Sequence, residues 1–177
     1  MGGGEVSSTI VHLEWSGPYL YPEARMCNAD GDWGIYQIYG DHPVYGSDVL
    51  LYIGKAERQT FGARLAQPHS MPYCYPIERT SVYFGRLAGA LAPDDEPWNQ
   101  QIVFAESLLI FAHRPAWNSQ MNFQKLDTHL RDVHVINWGD CRSLMAEVSG
   151  ARWCATRNDV PGWHTFKSDS PRLFQST

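Results

Sequence analysis

Residues 33–64 read WGIYQIYGDHPVYGSDVLLYIGKAERQTFGAR. Two aromatic-aliphatic runs lie in this stretch, Gly34–Tyr39 and Val49–Gly54, separated by a segment rich in Gly, Asp and Pro. Ile, Val and Tyr suit a pleated, half-buried surface, whereas Gly40-Asp41-His42-Pro43 and Tyr45-Gly46-Ser47-Asp48 are turn chemistry. The pattern predicts an antiparallel hairpin with a rather long loop. Strand alternation sets Tyr36 on the face opposite Ile35 and Gln37, and Tyr52 opposite Leu51 and Ile53. Taken alone, two strand tyrosines read as packing residues.

Before this stretch, Thr9–Trp15 is strand-like and is followed by a loop containing Gly17-Pro18 and Tyr21-Pro22. Pairing with the sheet, covering it, or forming an oligomer contact are all open for this part. After the hairpin, residues Arg58–Gln67 predict a short helix with Phe61 and Leu65 on one face. It ends before Pro68, which disfavours helical geometry in the preceding residue. Arg64 falls near the edge of the packed face. Residues 73–91 are β-rich, and Thr80–Leu87 predicts a third strand, with Pro76 and Gly85 marking an edge, bulge or bend.

Pro93-Asp94-Asp95-Glu96-Pro97 is a helix start, its acids complementing the helix dipole. In the helix that follows, over about Trp98–Ala112, residues Ile102, Glu106, Leu109 and Ile110 share one face. A carboxylate in such a stripe is costly unless it is paired or holds a cation. Two readings follow for Glu106. It bonds a buried arginine or tyrosine hydroxyl, or it is the ligand of one hard divalent ion, Mg²⁺ or Mn²⁺. Arg114-Pro115 stops the helix, and Asn118 in the turn beyond suggests local capping. Further on, Leu126–Ile136 fits either helix or strand, and Asp140–Val148 predicts a short capped helix. Trp138, Trp153 and Trp163 suggest a packed appendage in which each ring is core rather than a base-stacking platform. Lys167–Thr177 has the composition of a frayed end.

The chain has 177 residues, of which 44% are hydrophobic and 13% aromatic, enough for one ordered domain with extensions. No apolar run approaches the roughly 20 residues needed to cross a bilayer. Met1–Glu5 lacks the basic start and apolar stretch of a signal peptide. The expectation is a cytoplasmic protein with no membrane partner. Cys27, Cys74, Cys141 and Cys154 stand far apart without a C-x-x-C pair, which predicts reduced thiols and no zinc spacing. A formal net charge of −5 disfavours promiscuous phosphate binding. Even so, Lys55, Arg58, Arg64, Arg79 and Arg86 gather near the motif, and a sequence-specific protein can recover affinity from base contacts.

Gly34-Ile35-Tyr36, then Tyr52-Ile53-Gly54, then Arg64, and downstream the run Phe104–Asn118 centred on Glu106, together resemble the GIY-YIG nuclease superfamily. The resemblance covers roughly residues 33–118, with its motifs in the family's order. It implies an α+β fold whose core, residues 33–122, is a small, mainly antiparallel three-stranded sheet flanked by helices. Residues 1–32 are then an N-terminal extension and 123–177 a C-terminal appendage packed on the core. The Gly54-Lys55-Ala56 continuation and the Arg114-Pro115-Ala116-Trp117-Asn118 ending look most like the type II restriction endonucleases of that superfamily.

The resemblance also assigns roles. Tyr36 would be the general base or would position the attacking water, and Tyr52 would bond the phosphate or the water. Arg64 would clamp the scissile phosphate with its planar donor fork. Glu106 would hold one divalent cation. Asn118 would bond a phosphate or hold the site together, and Arg58 would join it in binding substrate. A phenol, with a reference pKa near 10, needs a cation beside it to ionise, and Lys55 is the candidate. Many members carry a histidine one helical turn after the arginine; here that position is Pro68, and His69 is the substitute or an ordinary loop residue. The implied reaction is hydrolysis of DNA to 5′-phosphate and 3′-hydroxyl ends. No obligatory protein partner is evident, and a palindromic duplex target would imply a homodimer. Two alternatives stand beside it, a single-strand- or structure-specific repair nuclease and a catalytically silent DNA-binding module.

Overall fold

A computed structural model describes residues 8–67, 79–88, 96–118 and 126–154. Strand β1 (Thr9–Leu20) runs between two others, antiparallel to β4 (Ser81–Ala88) and parallel to β5 (Val133–Gly139). The motif hairpin, β2 (Gly34–His42) and β3 (Gly46–Ala56), pairs with β4 through β2. A short β6 (Glu147–Ser149) closes the other end, giving the order β3-β2-β4-β1-β5-β6. Among the described residues four α-helices accompany the sheet: α1 (Tyr21–Ala24), α2 (Phe61–Leu65), α3 (Glu96–His113) and α4 (Gly150–Cys154).

The fold is α+β, as expected, but the sheet has six strands rather than three. Both extensions enter the sheet: β1 by pairing, one of the alternatives open for it, and β5 and β6 in place of an appendage packed on the core. Alternating Val11, Leu13 and Trp15 need a covered face, and they find it under α3 beside Val133 and Val135. Of the edge, bulge or bend that Gly85 suggested, the edge is not realised, because β4 pairs on both sides there. Gly85 lies in an interior strand, where a Cβ would come within 2.7 Å of the Trp15 indole ring. That indole donates to Asn137 Oδ1 at 2.8 Å, tying β1 to β5.

Each sheet face carries a core. On one face Ile102, Leu108 and Leu109 of α3 pack with Ile35 and Ile53 of the hairpin. On the other face Tyr36, Ile38, Val82 and Phe84 pack against Tyr21 of α1 and Phe61 and Leu65 of α2. The alternation predicted for Ile35 against Tyr36, and for Ile53 against Tyr52, is therefore realised. The Phe61 and Phe84 rings stack at 4.1 Å, a contact worth about 1 kcal/mol beyond area burial.

Three expectations are corrected. Asp140–Val148 is not a helix: Asn137 captures it, its amide donating to the Met145 carbonyl (2.7 Å) and its backbone N–H to that of Ala146 (2.8 Å). The chain then enters β6. Trp138 and Trp153 are not core residues, being 53% and 45% exposed. Helix α2 begins at Phe61 rather than Arg58, because Arg58 has φ +55° and Thr60 caps the helix by accepting from Ala63 N–H. The predictions for Pro68, His69, Cys74, Pro76, Trp163 and the two ends of the chain fall outside the described residues. Cys27, Cys141 and Cys154 are free thiols, half-buried.

Candidate active site

Glycine placement explains why the two tripeptides meet. In the β2–β3 ladder Tyr36 is opposite Gly54, and a Cβ on Gly54 would come within 2.5 Å of the Tyr36 phenol and 2.6 Å of the Tyr52 ring. Only glycine leaves the Tyr36 ring room to lie across the strand. Gly34 has φ +138° and abuts the Gly85 carbonyl, a conformation and a space that exclude side chains. The Tyr36 and Tyr52 rings end 6.0 Å apart, inclined at 38°.

Arg64 is brought to them by α2. The helix is seated by backbone bonds from Phe61 N to the Asp32 carbonyl (2.7 Å) and Gly62 N to the Cys27 carbonyl (2.8 Å). The guanidinium donates from Nη1 to Gln67 Oε1 at 2.7 Å, and Gln67 in turn donates to Gln59. Its Nε and the Tyr36 Oη are both buried without a hydrogen bond of ordinary geometry, although the guanidinium lies near enough to Tyr36 to pull on its phenol. Unsatisfied buried donors are uncommon and costly. Two in one cluster suit an oxyanion that accepts from both.

Glu106 comes from α3 and is 14% exposed. Lys55 Nζ lies 3.3 Å from Glu106 Oε2 and also 3.3 Å from Glu57 Oε2. Burial pushes the Glu106 carboxyl above the usual carboxylate range, against the opposing pull of Lys55 and then Arg64. Burial likewise raises the Tyr52 phenol, with the Glu106 charge adding to the effect. For Tyr36, burial again dominates, Tyr52 adds to it and the nearby Arg64 only partly offsets it. Tyr36 is thus held as a neutral phenol.

Tyr36, Tyr52, Lys55, Arg64 and Glu106 therefore converge from four elements. Two implied roles change, one is narrowed to its structural alternative, and one nearby cation is committed elsewhere. Lys55 faces Glu57 and Glu106, so it is not the cation beside Tyr36; that cation is Arg64. Arg58 is exposed and pairs with Glu96 at the start of α3 (2.5 Å), which draws it away from the cluster. Asn118 is buried and spans the outer strand, accepting from Ile53 N–H (2.9 Å) and donating to the Ile53 carbonyl (2.8 Å). Its amide holds β3 in place. Arg86, counted among the local basic residues, is committed to Asp32 (2.6 Å) and Ser16 (2.7 Å) and lies over Phe61 and Phe84.

Glu57 was missed from the sequence. The signal was present, because i and i+2 on an extended chain share a side, and Glu57 follows Lys55 by that interval. Among the described residues no group of three or more His, Cys, Asp and Glu side chains converges as a metal cage. No described helix is long and apolar enough to cross a membrane. Compared with known proteins, the chain matches no family model, no curated protein and no solved structure.

Proposed function

We propose that this chain is a metal-dependent endodeoxyribonuclease of the GIY-YIG type. It hydrolyses phosphodiester bonds to 5′-phosphate and 3′-hydroxyl ends, and a site-specific activity like that of the type II restriction enzymes is the reading adopted. The supporting observation is the convergence of Tyr36, Tyr52, Lys55, Arg64 and Glu106 around two unpartnered buried donors, Tyr36 Oη and Arg64 Nε.

One cation fits the donor set. A hard divalent ion keeps most of its water and needs only one or two protein carboxylates, the rest coming from substrate oxygens. Glu106 is a largely buried carboxylate whose charge Lys55 balances at 3.3 Å. A Mg²⁺ or Mn²⁺ held there supplies Lewis-acid stabilisation to phosphate oxygens. The remaining work falls to the chain. Arg64 donates from Nε to a non-bridging oxygen, stabilising the charge that develops on phosphorus. Tyr36, neutral and fixed across Gly54, positions the attacking water by hydrogen bonding rather than arriving as a ready phenolate. Tyr52 bonds the same water or the phosphate. Water adds to phosphorus as the P–O3′ bond breaks, and the departing 3′ oxygen takes up a proton.

Purified chain is offered supercoiled duplex, a single-stranded circle and a branched duplex with Mg²⁺ or Mn²⁺. Discrete duplex fragments, absent with Glu106→Ala, are the expected result. Cutting confined to single-stranded or branched DNA would redirect the reading to a structure-specific repair nuclease. Binding to DNA with no cleavage under any condition would leave a silent DNA-binding module.

A further inference from the structure

Lys55 stands between two carboxylates, and only one of them is in the motif. Its ammonium is equidistant, at 3.3 Å, from Glu57 Oε2 and Glu106 Oε2. Lys55 and Glu57 are each 29% exposed, whereas Glu106 is 14% exposed, so the outer half of this bridge meets solvent and the inner half does not. Lys55 is also fixed at its backbone, paired opposite Ile35 in the β2–β3 ladder. Four rotatable side-chain bonds therefore let the ammonium move between the carboxylates while the strand stays still. Among the described residues, Lys55 is the ion-pair partner that Glu57 has.

An ammonium on Glu106 and a divalent cation on Glu106 are alternatives, because two cations on one small carboxylate repel. Glu57 gives the displaced lysine a place to go.

We propose that Glu57 is a holding residue for Lys55: it keeps the ammonium at the centre when a divalent cation takes Glu106, so that the Lys55–Glu106 ion pair and cation binding exclude one another. This rests on the nuclease reading for its purpose, though not for its test. Glu57 is a positioning residue in this scheme. It acts through Lys55, which it retains within reach of a bound phosphate.

The test is Mn²⁺ uptake by the full chain without DNA, followed by electron paramagnetic resonance, with thermal melting to confirm folding. Lys55→Met removes the competitor and is expected to tighten Mn²⁺ binding, by roughly three-fold or more if the pair is worth what a partly exposed ion pair usually is. Glu57→Gln leaves Lys55 wholly to Glu106 and is expected to weaken binding by a similar factor. In the Lys55→Met background the Glu57→Gln effect is expected to shrink by at least about half, because the two act through one contact. Lys55→Gln serves if Lys55→Met fails to fold.

Unchanged or weaker Mn²⁺ binding after loss of Lys55 would overturn the exclusion. An undiminished Glu57→Gln effect in the double variant would mean that Glu57 acts on the cation directly, which also overturns the proposal. Wild-type chain that cuts DNA while showing either pattern fails this inference alone. Wild-type chain that neither takes up Mn²⁺ nor cuts any DNA fails the nuclease reading as well.

Discussion

Two tyrosines three residues apart on β2 live in opposite circumstances. Tyr39 faces the core under α3, donates to Gln37 Oε1 at 2.8 Å and shares a 2.8 Å bond with Ser143 Oγ, while Arg142 lies 4.5 Å above its ring. Tyr36 faces the opposite core, is fully buried, and its hydroxyl has no partner. Both phenols are shifted upward by burial, and both have an arginine near. The difference is that the surroundings of Tyr39 complete it and those of Tyr36 do not. What sets Tyr36 apart on this strand is a hydroxyl left without a hydrogen bond of ordinary geometry beside the Arg64 guanidinium and the Tyr52 ring.

The largest effect is expected at Glu106, the carboxylate that α3 brings to the Tyr36, Tyr52 and Arg64 cluster. Glu106→Ala removes the buried carboxylate and leaves Lys55 its pairing with Glu57. Cleavage is expected to fall by about 10³-fold or more, with DNA binding by filter retention largely kept. A variant cutting at the wild-type rate in ordinary Mg²⁺ would refute the role given to Glu106.

The paired substitution sharpens the contrast directly. Tyr36→Phe removes a hydroxyl that makes no hydrogen bond of ordinary geometry in the folded chain, so the denaturation midpoint should hold or rise while kcat drops about 10²-fold. Tyr39→Phe strands Gln37 and Ser143 and should cost about 1–2 kcal/mol of stability, with the cleavage rate per folded molecule unchanged. If both variants lose stability alike and cleave alike, the distinction between the two tyrosines collapses. Between these cases stands Asn118→Ala, which deletes both bonds to Ile53 on the outer strand. A loss of about 2 kcal/mol is expected, accompanied by weaker cleavage because β3 carries Tyr52 and Lys55. Unaltered stability would show that β3 needs no such clamp.

How much of this was legible depended on whether the cause was local. The hairpin could be read because Ile/Tyr alternation and turn residues act over a few positions, and α3 because Ile102, Glu106, Leu109 and Ile110 repeat at helical spacing. The low exposure of the Glu106 side chain, 14%, followed from the same stripe. The six-stranded sheet could not be read. Whether Val11, Leu13 and Trp15 pair with β4 or only cover it depends on contacts across some 70 residues of chain, such as His12 opposite Ala88. Arg86 was counted among the basic residues near the motif and Arg58 was expected to bind substrate, because charge is visible in a sequence and partners are not. Asp32 claims one and Glu96 the other. Lys55 was placed beside Tyr36 from proximity in the motif, although strand alternation already sends neighbouring side chains to opposite faces. Asp140–Val148 has helical composition, but a single asparagine on β5 overrides it.

The smallest effect expected tests the completed side of the comparison, at His113. Its Nδ1–H donates to the Leu109 carbonyl at 2.9 Å, and its Nε2 accepts from Met145 N–H at 2.9 Å, which fixes the neutral tautomer. Burial holds its pKa below the ordinary imidazole value, only partly offset by the Leu109 carbonyl. The folded chain thus takes this proton less readily than the unfolded chain does. The stability it contributes is complete above the unfolded pKa of about 6.5 and is lost as pH falls through the lower folded value. A protonated ring would also turn an N–H toward that of Met145, opposing two donors where a bond had joined α3 to the segment before β6. Urea midpoints measured between about pH 7.5 and 5 should therefore fall more steeply for wild type than for His113→Gln. Parallel profiles would mean that His113 stays neutral across the range or protonates without strain, and that this contact is as incomplete as the one at Tyr36.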